Sequence, residues 1–235
     1  MSLNTNKSPT NAKQVSKHTG RAPRADGDNT RQQIIETAGQ LFADLGYGGT
    51  TSKLICEECG CNVAAVNYHF GSREGLYSSV LIESHRRLIG FNTLMDIANG
   101  SDDSRSKLGR IIDTLIDGID ATQWHSRRFI REIMAPSVLI DEMIKTEALP
   151  KFAVLKSLLS DITGIDRDDP AMSRILISTM APCMLLLVGN RDNLSKVLGN
   201  FLEDKQALKR HLKSFLFAGL DQLIAERENI TKNHA

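Results

Sequence analysis

TSKLICEECGCNVAAVNYHF, residues 51–70, reads as two short helices joined by a tight turn. Thr51 is placed to cap the first helix, and Leu54, Ile55 and Cys59 supply its apolar side. Gly60 stands where the chain must turn through a positive φ, and Asn62 is placed to cap the second helix. That second helix opens with small side chains, Val63, Ala64, Ala65 and Val66, and continues with the hydrogen-bonding tips of Asn67, Tyr68 and His69. A helix built for burial is longer and more apolar. This one suits display in a DNA major groove, the geometry in which the second helix of such a pair meets base edges while the first crosses the backbone.

The flanks extend the same reading. Upstream, Thr30 with Gln33 forms a capping box, and Ile34, Ile35, Ala38, Leu41, Phe42 and Leu45 share one helical face until Gly46 ends it. Downstream, Ser72 is placed to cap a further helix with Leu76, Val80, Leu88 and Phe91 on its apolar stripe. From Thr30 to about Val80 the chain resembles the DNA-binding domain of TetR-family transcriptional regulators, with landmarks at Leu41-Phe42, Gly46-Tyr47, Thr50-Thr51, Gly60 and His69-Phe70.

The resemblance implies that Asn62, Val63, Ala64, Ala65 and Asn67 lie at or near base edges. It puts Tyr68, His69 and Arg73 near phosphates, with Thr51 and Lys53 at the preceding helix start completing the DNA-binding set. Two positions depart from the family pattern. The acidic residue often found three positions after the first cap is Leu54 here. The usual aromatic gives way to Asn67 with Tyr68 one place later, which leaves open which of the two takes a phosphate. For Tyr68 the competing reading is a ring packed on the following helix with only its hydroxyl free.

Charge gives only weak support to nucleic-acid binding. The net charge of the 235-residue chain is +1. Residues 1–31 carry six Lys or Arg against Asp26 and Asp28, whereas residues 32–80 hold only Lys53 and Arg73 against Glu36, Asp44, Glu57, Glu58 and Glu74. Phosphate contact is therefore expected partly from a basic arm over residues 1–28, with neutral donors and helix ends supplying the rest. A merely solvated tail is an equally good reading of that arm.

Beyond the DNA-binding domain, assigned to residues 29–75, the pattern stays helical through Lys107–Ala121, Arg127–Ile144, Phe152–Ile162, Ala171–Val188 and Lys205–Glu226. No stretch alternates as a strand does, so the predicted fold is all-α: a three-helix N-terminal domain and a larger helical domain over residues 76–235. Asp168-Asp169-Pro170 reads as a helix start, while Pro136 and Pro182 are expected to kink or break helices.

Hydrophobic residues make up 41% of the chain and charged residues 24%, the balance of a globular protein. The longest apolar run, Ile175–Val188, is interrupted by Ser178, Thr179 and Pro182. The first residues lack the apolar core of a secretory signal, so the expected location is the cytoplasm, with no membrane partner.

Trp124, Phe129, Met134, Met143, Phe152, Met180, Cys183 and Met184 are the candidates for a cavity that holds a small, largely apolar effector. For any one of them ordinary core packing is the better reading; the cavity as a whole is what the family resemblance implies. Arg131-Glu132 and Met134-Ala135-Pro136-Ser137 also resemble a branch of the family with a CecR-like C-terminal domain.

Cys56, Cys59 and Cys61 have ligand-like spacing, but the family usually has small apolar residues there, so they read as reduced core thiols rather than a metal or redox site. No histidine or nucleophile pattern marks a catalytic site, and no cofactor or metal is expected. The function implied is a homodimeric, ligand-responsive regulator, most simply a repressor on a near-palindromic operator. The last two helical segments would form its four-helix dimer interface. The alternatives are an architectural DNA-binding protein without an effector, and a small-molecule enzyme or carrier with a vestigial helix-turn-helix.

Overall fold

The computed structural model describes residues 23–119, 125, 136–137, 139–188 and 191–233. Trp124, Phe129, Met134 and Arg131-Glu132 lie outside them, as do residues 1–22 of the expected arm. The described elements are helices, with no strand among the described residues. Helix α1 spans Pro23–Gly49, α2 Ser52–Cys59, α3 Val63–Phe70, α4 Arg73–Arg86, α5 Phe91–Ala98 and α6 Ser104–Asp117. Helix α7, Ile140–Met143, passes through a π-helical turn at Ile144–Ala148 into α8, Leu149–Thr163. Helices α9, Pro170–Val188, α10, Arg191–Leu198, and α11, Lys205–Asn233, complete the described chain.

Helix α1 begins upstream of the expected Thr30 cap, at a proline whose missing amide costs nothing in a first turn. Gln33 is therefore free of capping duty. Its Nε2 donates to the Cys59 carbonyl at 3.0 Å and ties α1 to the end of α2. The helical path breaks at Gly46, with φ 76° and ψ 173°. The fully buried Thr50 hydroxyl lies 3.1 Å from the Leu41 carbonyl and 2.9 Å from that of Gly46, satisfying the ends left by the break.

The three expected caps are in place. Thr51, Asn62 and Ser72 accept from the amides of Leu54, Ala65 and Gly75, respectively. Gly60 adopts φ 67° between α2 and α3. At α9, Asp169 accepts from the Ala171 amide at 2.7 Å just before Pro170, as the sequence predicts.

Three expectations need correction. Helix α4 ends at Arg86, and Phe91 opens α5 with 40% of its surface exposed instead of extending the α4 stripe. Pro182 lies inside α9 without ending it, so of the expected kink or break the break does not occur. Among the described residues, Pro170–Leu187 is long and apolar enough, by length and composition, to cross a membrane, despite its polar interruptions. Pro136 is non-helical and α7 begins at Ile140; most of the expected Arg127–Ile144 helix lies outside the described residues.

Two apolar cores form. One gathers Ile34, Ile35, Ala38 and Phe42 of α1, Ile55 of α2 and Val66 of α3 around Leu76, Tyr77, Val80 and Leu81 of α4. It reaches on to Leu88, Met143 and Ala148, well past residue 76, where the sequence reading put the domain boundary. The other joins α5, α6, α8, α9 and α11. Along one side of it α11 is riveted to α6 by Lys209–Asp117 at 2.6 Å and Lys213–Asp113 at 2.8 Å.

The angle between α3 and α4 depends on Gly75. A Cβ there would collide with the Phe70 carbonyl oxygen, which is backbone and cannot swing aside. Gly75→Ala is expected to cost about 1–3 kcal/mol by forcing that junction apart. Urea unfolding should show a lower midpoint at unchanged slope, and an unchanged midpoint would refute the steric account.

Candidate nucleic-acid interface and effector cavity

Helix α3 is anchored from one side and bare on the other. Val66 is fully buried against the N-terminal core, and Ala65, His69 and Phe70 are half-buried. Asn62, Val63, Ala64, Asn67 and Tyr68 are exposed, and the helical positions 63, 64, 67 and 68 adjoin on one face. Tyr68 is 84% exposed, which removes the reading in which its ring packs on α4. Among the described residues its ring meets His69 edge-on, with centroids 4.9 Å apart. Thr51 and Lys53 are exposed at the start of α2, and Lys53 makes a loose pair with Glu57 at 3.7 Å.

Arg73 is placed differently. It is half-buried, its Nη1 donates to the Thr50 carbonyl at 2.9 Å, and its guanidinium lies 4.1 Å from the Tyr47 ring centroid. Tyr47 in turn stands edge-on to Tyr77 at 4.8 Å and donates its hydroxyl to Glu74 at 2.8 Å. This cluster buttresses the α1–α2 connection against α4. The family resemblance placed Arg73 near phosphates; the structure adds that it braces the domain from within, against Tyr47 and the Thr50 carbonyl.

The three clustered cysteines are free thiols, with Cys56 and Cys59 buried. Burial, with hydrogen bonding to Cys59 and Cys56, pushes the Cys61 thiol up to about 12. A thiol so far from ionising is a poor nucleophile and a poor metal ligand. No cluster of metal-ligating side chains occurs among the described residues.

In the C-terminal part the structure brings together only some of the expected cavity residues. A cavity of about 60 Å³ is bounded by His85, Leu88 and Ile89 at the end of α4, Leu94 of α5, Ile111 and Leu115 of α6, Lys151, Phe152 and Leu155 of α8, and Met180 and Met184 of α9. Met143 packs in the N-terminal core instead, at the end of α7 directly before the π turn. Cys183 faces a separate cleft of about 180 Å³ between α9 and α11, with Phe215, Leu216 and Leu223. Neither lines the α4-side cavity: Met143 belongs to α7 and the N-terminal core, and α9 turns Cys183 toward α11 while Met180 and Met184 face the cavity.

Sequence reasoning missed the polar end of the cavity. Lys151 is 4% exposed, and its Nζ lies 3.0 Å from Glu147 Oε2, 3.1 Å from His85 Nδ1 and 3.2 Å from the His85 carbonyl. Glu147 also receives Arg86 through Nε at 3.2 Å and Nη2 at 2.9 Å. The pairing continues from Arg86 to Glu83 at 3.5 Å, from Glu83 to Arg87 at 2.7 Å, and from Arg87 to Glu36 of α1. Charges of alternating sign thus run from the cavity wall to the N-terminal domain. Burial lowers the Lys151 pKa, with Glu147 opposing the shift. Burial works to raise the Glu147 pKa, but Lys151 and Arg86 outweigh it and hold that carboxyl below its usual range.

Residues 34–80 match the family described as bacterial regulatory proteins of the tetR family. Residues 104–221, half of the chain, match the C-terminal domain of the HTH-type transcriptional dual regulator CecR. The chain belongs to the TetR family. That family is one of transcriptional regulators, and membership implies DNA binding.

Among TetR-family relatives, the "Probable HTH-type transcriptional regulator YttP" of Bacillus subtilis is 24% identical over 136 residues, covering 57% of this chain and 64% of that protein. The transcriptional repressor AcnR of Corynebacterium glutamicum is 33% identical over 75 residues, 31% of this chain and 40% of its own. The match therefore spans less than two thirds of either relative. A TetR-like transcriptional regulator from Rhodococcus sp. RHA1 has the same fold, with a TM-score of 0.62 at 16% identity over 86% of this chain and 99% of that one.

His85 carries a pH dependence. Burial and the nearby Lys151 charge depress its pKa from 6.5 to about 4, with Glu147 opposing. Below 6.5 the unfolded chain binds a proton that the folded one refuses. The associated stability is therefore complete above that value and is lost as pH falls toward 4, by up to about 3 kcal/mol. His85→Gln should flatten this segment of the stability profile; an unchanged acid limb in urea titrations would show that other groups cause it.

Proposed function

We propose that this TetR-family regulator is a homodimeric repressor that a small molecule releases from a near-palindromic operator. The observation that carries the reading is the division of α3, with Val66 locked into the core and Asn67, Tyr68 and the small residues at its start left bare. Val63, Ala64 and Ala65 offer methyl groups to thymine, Asn67 offers an amide to adenine or to phosphate, and Tyr68 and His69 are placed for the backbone. Thr51 and Lys53 bring the α2 N-terminus to a phosphate. Arg73 acts chiefly by holding the loop before α2, so its loss would weaken DNA binding through the domain's shape.

Dimerisation is supported by the outer face of α9 and α11. Ile177 and Phe215 are 67% and 74% exposed, and Leu185 and Leu223 extend the same apolar character. Two copies of this pair form a four-helix interface and set two α3 helices on one side of the dimer. Two-fold symmetry then calls for two half-sites about one helical turn apart. An effector that favours a differently spaced dimer releases DNA, and DNA weakens effector binding by the same factor.

Titration against DNA from upstream of its own gene, over a range of salt and with unrelated duplex as competitor, should give a specific site occupied by two protomers. Asn67→Ala is expected to relax base preference at one position per half-site. Equal affinity for every duplex would favour an architectural role and sink the operator-specific reading. Separately, Phe215→Glu should give a monomer by sedimentation with its helical circular dichroism retained. A stable dimer in that variant would place the interface elsewhere.

A further inference from the structure

The cavity beside α4 is apolar along its length and cationic at one end. Leu94, Leu115, Met180 and Met184 furnish the apolar wall, and Lys151 with His85 closes it. Both polar residues are more than nine-tenths buried. A lysine held in such a place forfeits much of its hydration, and its pairing must make up the difference. That pairing is shared: Glu147, the carboxylate facing Lys151, also takes two hydrogen bonds from Arg86. Removing Lys151 from Glu147 would still leave Glu147 paired. The ammonium is therefore the member of this cluster that can change partners at least cost.

We propose that the effector is an amphipathic carboxylate, whose acid head pairs with Lys151 in place of Glu147 and whose hydrocarbon chain lies along Leu94, Leu115, Met180 and Met184. This rests on the reading of the helical domain as effector-binding and gives that effector a chemical class. About 60 Å³ of space is far below the roughly 300 Å³ and more of a typical ligand pocket, so the walls must give. They are suited to it. Methionine is unbranched and changes rotamer cheaply, and Phe152, 37% exposed, stands where the cavity meets solvent. A narrow chain enters by such side-chain movements, whereas a rigid polycycle demands backbone displacement. An amine of the same length meets Lys151 as a like charge. An alcohol fills the tail site but leaves the ammonium to Glu147.

The anchor also supplies a route to DNA. When the ligand takes Lys151, Glu147 turns wholly to Arg86, and the adjustment falls on the last turn of α4. There Glu83 and Arg87 link that turn to Glu36 of α1. The acid head thus acts on the element that joins the cavity to the DNA-binding domain.

Isothermal titration of the full chain with hexanoate, octanoate and decanoate, against octanol and octylamine, tests the proposal. At least one carboxylate is expected to bind about tenfold or more tightly than octanol, with octylamine weakest. Lys151→Met retains the apolar stem and should abolish the preference for carboxylate over alcohol while preserving octanol binding. Equal affinity for octanoate and octanol, or a preference that survives Lys151→Met, overturns the proposal, as does failure of every carboxylate to bind. Should Lys151→Met not fold, the comparison of acid, alcohol and amine on the unaltered protein decides alone. Operator binding measured on the same preparation separates the two readings. DNA binding without carboxylate binding refutes only the effector class, and carboxylate binding without DNA binding refutes only the operator.

Discussion

Helix α4 must be buried along two different lines, and much of the molecule follows from that. Its first turns give Leu76, Tyr77, Val80 and Leu81 to the N-terminal core, where Tyr77 meets Phe42 edge-on with centroids 4.9 Å apart. Its end gives His85 to the cavity of the helical domain, and the chain just beyond gives Leu88 and Ile89. One rigid rod therefore belongs to both halves. Each large side chain buried along it contributes roughly 1.5–3 kcal/mol, so neither half can release α4 without losing several such terms. Movement of α4 as a body, with its packing kept, is the inexpensive change.

The same rod explains why charge is buried where it is. Glu147 and Lys151, one helical turn apart, face His85 and Arg86 across the junction. Apolar residues there would pack with less desolvation penalty, since buried ion pairs often do no better than hydrophobic replacements. What ions add is directionality: Glu147 accepts only from donors in particular places, which fixes the rotation of α4 against α8.

The N-terminal domain was readable from sequence because its signals are local. Thr51, Gly60, Asn62 and Ser72 each act within a turn, and a cap needs no knowledge of distant chain. The α1 start was misread for the same reason: Thr30 and Gln33 look like a box, but the tertiary bond from Gln33 to the Cys59 carbonyl outcompetes it. The bracing role of Arg73 was not legible, because its partners Tyr47 and the Thr50 carbonyl lie more than twenty residues away in sequence. The cavity was the least legible feature. Phe152, Met180 and Met184 were found through composition, but Met143 and Cys183 share that composition and face other ways. Lys151 and His85 carried no signal at all, since a lone lysine in a helix normally marks a solvated surface.

The π-helical turn at Ile144–Ala148 is where those directions are set. A π turn accommodates an added residue without ending the helix, and the helix beyond it is rotated by about one residue's angle relative to an unbroken one. Upstream of it Met143 points into the N-terminal core; downstream Lys151 and Leu155 point into the cavity. One continuous helix thereby serves two differently oriented surfaces, a task that uniform helical periodicity would deny it. The wider turn is also the natural place for that periodicity to reset. Were it to tighten to α-helical spacing, everything C-terminal would be re-indexed against α4, and Lys151 would swing off the cavity axis while Met143 kept its seat. The register between cavity and DNA-binding domain thus rests on one five-residue stretch of the helix.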